Sequence, residues 1–181
     1  MAPVISMVEI RSGVFYDSRT LGASDRKVSD LFAKPNSAAT EPVGYFHNLD
    51  AQGGMIPKDE EAVLDGIAFS LEGDKTIAQW TGFMKGVLTV FRNKRETFTI
   101  PIRFLPSMGG LFIATNQGLT TGGADSISSG VPSANNFLPL DPAIEIVGGQ
   151  QFSVQLEWAT APGAILFWVL FRAAHKRPGL A

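Results

Sequence analysis

The chain contains no cysteine, which removes disulfides, thiolate metal sites, iron–sulfur clusters and cysteine nucleophiles. Histidine is nearly absent: His47 and His175 are the only two, far apart in sequence. A mononuclear oxygenase or cupin centre needs several histidines and a carboxylate around one metal, and neither histidine has an H-x-H or H-x-D neighbour. Phosphate cradles of the G-x-x-x-x-G-K-[ST] and G-x-G-x-x-G types do not occur. The stretch Gly123 to Gly130 holds serines and glycines but no G-x-S-x-G elbow, and it reads as a loop. Carboxylates at Asp59, Glu60 and Glu61, and at Asp141 and Glu145, have no spacing that singles out a glycosidase pair. No catalytic residue, metal site or cofactor is therefore expected, and no small-molecule substrate.

Charge is scarce too. Charged residues make up 18% of the chain, below the ~25% typical of soluble domains; a surface partly covered by something else would fit, as would an ordinary monomer. The net charge of −2 lacks the basic stripe of a nucleic-acid binder. Two basic clusters, Arg92 with Lys94 and Arg95, and Arg172 with Lys176 and Arg177, read as a solvated turn and a solvated tail. Long apolar runs are missing. The longest, Ala164 to Phe171, has eight residues, against the ~20 of a membrane helix, so no bilayer span is expected. Met1 to Ser6 has neither a charged start nor an apolar stretch, so no secretory signal is expected.

What is present is material for an all-β domain. Hydrophobic residues reach 45% of 181 positions, enough for a sizeable core at this length. Val4 to Tyr16 reads as one or two strands broken at Ser12-Gly13, followed by a polar stretch from Asp17 to Lys27. Val28 to Met55, with Pro35, Pro42 and Gly53-Gly54, suits loops and short strands. Pro57 to Glu61 reads as a turn or a helix start, and Ala62 to Leu71 as a strand. Asp74 to Phe83 is ambiguous: Asp74 is a candidate cap, and Ile77, Trp80, Phe83 and Met84 have helical spacing. The clearest hairpin joins Gly86–Phe91 to Glu96–Phe104 through Arg92-Asn93-Lys94-Arg95, with Phe98, Ile100, Ile102 and Phe104 on one face. Pro101 cannot donate to a ladder and marks a bend or an edge.

Leu105 to Pro142 is rich in glycine, serine, asparagine and proline, and reads as one long excursion holding a short strand at Leu111–Ala114. Connections of that length in compact domains are usually functional. Ala143–Val147, Phe152–Trp158 and Ala164–Phe171 are strands; the second alternates with period two, and the third is the continuous run of a strand covered on both faces. These elements predict one jelly-roll or β-sandwich barrel of about eight strands over residues 1–181, with the excursion at about 105–142. Among the aromatics, Trp158 and Trp168 read as core, whereas Trp80 is a candidate subunit contact.

The sequence from Leu140 to Trp158, with its Gly148-Gly149-Gln150-Gln151-Phe152-Ser153-Val154-Gln155-Leu156 core, followed by the apolar strand Ala164–Arg172 and a short basic tail, resembles the closing strands of viral jelly-roll capsid proteins. In length the chain is similar to the smaller of the single vertical jelly-roll major capsid proteins of icosahedral, internal-membrane double-stranded DNA bacteriophages. The resemblance covers Thr97 to Phe104 and Leu140 to Pro178. It implies a structural virion protein assembled in the host cytoplasm, with copies of itself and a second capsid protein as partners. It also implies contacts in a tail formed by Arg172, His175, Lys176 and Arg177, beside the candidate contact at Trp80. Either 1–12 or 172–181 would reach onto a neighbour, or the tail would meet the internal viral membrane. A different ending for the same residues is a carbohydrate- or receptor-binding β-sandwich, lectin-like or a spike or decoration protein, which would need an exposed aromatic platform.

Overall fold

The structure, a computed structural model, describes residues 8–33, 46–47, 55–72, 76–107, 112–114, 126–128 and 136–178. In chain order the strands are β1 (Val8–Leu21), β2 (Lys27–Leu31), β3 (Phe46–His47), β4 (Glu61–Leu71), β5 (Val87–Arg92), β6 (Arg95–Pro101), β7 (Phe112–Ala114), β8 (Ser126–Ser128), β9 (Leu138–Val147), β10 (Phe152–Glu157) and β11 (Ile165–Pro178). Helix α1 (Ile77–Met84) lies between β4 and β5, and a single 3-10 turn covers Ile102–Phe104. One sheet runs β3-β1-β11-β4-β9 and the other β2-β10-β5-β6, with all pairings of these long strands antiparallel. Setting aside the two-residue β3, these are two four-stranded sheets in the strand order of a jelly roll. β7 and β8 pair separately as a small hairpin.

Period-two alternation makes the sandwich. On β11, Ile165, Phe167, Val169 and Phe171 are buried while the residues between them are not. On β10 the inward row is Phe152, Val154 and Leu156. Facing rows interlock as aromatic pairs: Phe32 stacks on Phe152 with ring centroids 5.1 Å apart, and Phe83 packs against Phe167 at 5.3 Å. Fully burying each such side chain contributes roughly 1.5–3 kcal/mol.

α1 closes one end of the barrel. Thr76 caps it by a capping box with Gln79, Thr76 Oγ1 accepting from the Gln79 N–H at 3.2 Å. The cap is therefore Thr76; Asp74 lies outside the described residues. The helix places Trp80 and Phe83 on the core, and the Phe83 carbonyl accepts from Trp158 Nε1 at 2.8 Å. Gly86 follows the helix because a Cβ there would stand 2.3 Å from that indole nitrogen.

Several sequence expectations are corrected. The polar stretch expected to begin at Asp17 is strand as far as Leu21, paired residue for residue with β11 from Leu21↔Ile165 to Val8↔Pro178. Asp17 and Arg19 face the interior, where polar groups need partners. Asp17 accepts from the Phe32 N–H, holding Phe32 at φ 63°, and Arg19 Nη2 meets Asp30 Oδ1 at 3.2 Å. Arg172 to Pro178 is no tail: it is the second half of β11, paired with β1 throughout and with β4 as far as Lys176. Residues 8–12 are strand partners of that same half, so 8–12 and 172–178 are not arms; the rest of each expected arm, 1–7 and 179–181, lies outside the described residues.

The hairpin turn at Asn93-Lys94 is as expected, with both residues at positive φ, the backbone that two-residue hairpins favour. Its second strand stops at Pro101, however. Ile102 turns inward and is buried, while Phe104 is 63% exposed instead of joining the inner row. The excursion ends earlier than Pro142, because β9 begins at Leu138 and carries Pro139 and a cis Asp141–Pro142 bond on the sheet's edge. An edge strand has a free side on which a missing N–H costs nothing.

Candidate interaction surface

Each sheet has an outward row on every strand, and the two sheets differ there. On the β2-β10-β5-β6 sheet the outward positions include Ser29, Ser153, Gln155, Glu157, Thr89, Thr97 and Thr99. Thr99 Oγ1 hydrogen-bonds Thr89 Oγ1 at 3.1 Å across the strands. This is the polar outer surface of an antiparallel sheet with one solvated face.

The outward face of the β1-β11-β4-β9 sheet is apolar at its centre. Register places Tyr16, Leu170 and Ala68 side by side, then Ser18, Trp168 and Ser70, with Leu166 beside Thr20. Tyr16, Leu166, Trp168 and Leu170 are half-buried, as are Ser153, Gln155 and Thr89 at the centre of the polar sheet. At the same degree of exposure one sheet shows indole, phenol and two leucines together, and the other hydroxyl and amide with a single phenylalanine, Phe91, beside Ser153.

Charged pairs rim the apolar centre. Arg172 Nε donates to Asp65 Oδ1 at 2.7 Å, and its guanidinium stands 5.9 Å from the centre of the Phe137 ring. Phe137 lies over this outer face beside Gly66, where a Cβ would come within 3.0 Å of Phe137 Cβ. Lys176 Nζ lies 3.6 Å from Glu61 Oε2. Both pairs are about half exposed, so each contributes no more than about 1 kcal/mol.

The expected contact residues are not brought together. Trp80 is 8% exposed, with its ring 6.0 Å from that of Phe69; it belongs to the core, which removes it from an outer contact. His175 is not exposed as a tail residue would be: its ring lies edge-on to Phe15 at 5.8 Å, and Nε2 is 2.6 Å from Glu60 Oε2, both side chains 13% exposed. Glu60 reaches it from the turn at 57–60, closed by the Glu60 N–H donating to the Pro57 carbonyl at 3.0 Å. Arg172 and Lys176 do lie outward on β11, at the rim just described. Arg177 stands opposite Glu9 in the ladder; its side chain lies outside the described residues, as does that of His47.

Tyr16, Leu166 and Leu170 were not singled out from sequence, and Trp168 was read as core. The signal was in the apolar run 164–171, whose alternate members must face outward once β11 lies in a two-layer sandwich. Among the described residues no group of three or more His, Cys, Asp or Glu is placed to hold a metal ion, and no helix is long and apolar enough to cross a membrane. No family model matches the sequence, and no curated protein matches it either.

Proposed function

We propose that this chain is a structural virion protein, a small jelly-roll capsid subunit that assembles with copies of itself and a second capsid protein into an icosahedral shell, without catalysis. The observation that carries the reading is the outer face of the β1-β11-β4-β9 sheet: a jelly roll whose inner faces already form one core shows Tyr16, Leu166, Trp168 and Leu170 on a second side. Contiguous apolar surface on a folded chain marks a contact site, and closed shells arise by repeating such contacts symmetrically. The likeness of Leu140–Arg172 to capsid closing strands supports the same reading.

Light scattering across concentration and salt, with negative-stain microscopy of large species, tests it. Oligomers or shell fragments are the expected result. A chain that stays monomeric up to millimolar concentration would remove self-assembly. A sugar-binding module is the competing reading: Phe104, with Arg103 5.6 Å from its ring centre, is the one strongly exposed aromatic among the described residues. Glycan-array binding lost in Phe104→Ala would favour it.

A further inference from the structure

We propose that the outer face of β1, β11, β4 and β9 is covered by the same face of a second copy of this chain, packed sheet on sheet across a two-fold axis close to Trp168. The inference rests on the self-assembly reading and names the surface and its occupant.

Size comes first. Four strands of ten to fourteen residues make this face. At about 4.8 Å between strands and about 3.3 Å per residue they span on the order of 700 Å². A standard interface buries about 800 Å² per partner, so one face-to-face contact suffices for a stable dimer.

Composition follows the same plan. The centre holds Tyr16, Trp168 and Leu170, and the rim holds the Asp65–Arg172 and Glu61–Lys176 pairs. Interfaces have an apolar core depleted of charge inside a polar rim, and Trp, Tyr and Arg are their usual anchors.

The occupant follows from what the rest of the chain offers. The opposite sheet presents Ser153, Gln155, Glu157 and Thr99, with Phe91 and Val87 set apart among them; laid on Trp168 and Leu170, its polar groups would lose water and gain no hydrogen bonds. The strongly exposed apolar side chains among the described residues lie elsewhere: Met55 with Val147, and Val87 with Phe104. The ladders put these pairs at opposite ends of the barrel, each too small to cover four strands. Among the described residues the apolar face is matched in extent and character only by itself, which makes the contact isologous. Sheets packed this way lie ~10 Å apart with their strands crossing at about 30°.

Two experiments on the full chain test this. In sedimentation velocity the wild type is expected to dimerise. Trp168→Glu should weaken dimerisation by about 30-fold or more, with Gln155→Lys on the opposite sheet leaving it unchanged. The second experiment uses the absence of cysteine: Leu170→Cys should form a disulfide-linked dimer under mild oxidation, and Gln155→Cys should not. It stands even if Trp168→Glu fails to fold. Self-association that survives Trp168→Glu, or cross-linking at 155 in place of 170, would overturn this interface and leave the shell reading standing. A wild-type monomer with Trp168 shielded from acrylamide quenching would show the face covered by the chain itself, and would overturn it too. A wild-type monomer with Trp168 freely quenched would overturn both.

Discussion

Along β11 and β10 the inward rows are alike: Phe167, Val169 and Phe171 on one strand, Phe152, Val154 and Leu156 on the other. The outward rows are opposites, Leu166, Trp168 and Leu170 against Ser153, Gln155 and Glu157. Both strands lie inside their sheets, so neither pattern comes from an edge. The inner rows fold the chain, because they are what the two sheets bury against each other. The outer row of β11 is only half-buried in the lone chain, which is why its apolar composition bears on the proposed contact.

The largest effect separates the two faces of one strand. Phe167→Ala should destabilise the dilute protein by about 3–5 kcal/mol in chemical denaturation. Its neighbour Trp168→Ala, half-buried in the lone chain, should cost clearly less under the same conditions, about 1–2 kcal/mol. Equal losses would mean that the outer row is a second core, and the comparison would collapse.

Gly66→Ala tests a place where the outer face is already occupied, by Phe137. The added methyl must displace Phe137 or Arg172, and a loss of about 1–3 kcal/mol is expected. An unchanged denaturation midpoint would show that Phe137 is not fixed over this face.

The excursion leaves and rejoins the barrel on β4. Ser107 bridges Phe69, and Leu138 stands opposite Ile67, so the two roots are about 7 Å apart. Replacing 108–135 with a short Gly/Ser linker should therefore change stability by no more than about 1 kcal/mol, since loop closure depends weakly on length. Loss of the folded signal in circular dichroism would make the excursion part of the fold. The smallest effect is expected on the polar sheet, where Thr99→Lys should stay within about 0.5 kcal/mol; a larger loss would mean that this face is also covered.

Some of this was legible in the sequence. Strict alternation located β10 within a residue, whereas the segment with helical spacing at Ile77, Trp80, Phe83 and Met84 was ambiguous from sequence and forms α1. β1 was read too short because Asp17, Ser18 and Arg19 look like a turn; their partners, Phe32 and Asp30, lie eleven or more residues away. β9 was read too short because prolines argue against a strand, until the strand is known to be an edge.

The sequence by itself determined which segments extend and which side chains share a face, because side-chain alternation is a local property of the backbone. Tertiary structure decided what each face meets. β11 lies between β1 and β4, so Arg172 to Pro178 became strand where composition suggested a tail, and Trp80 went to the core. Those outcomes depend on pairing between residues more than a hundred positions apart, such as Val8 with Pro178. No local pattern encodes which of several compatible strands will be the neighbour; the burial of one shared core selects it.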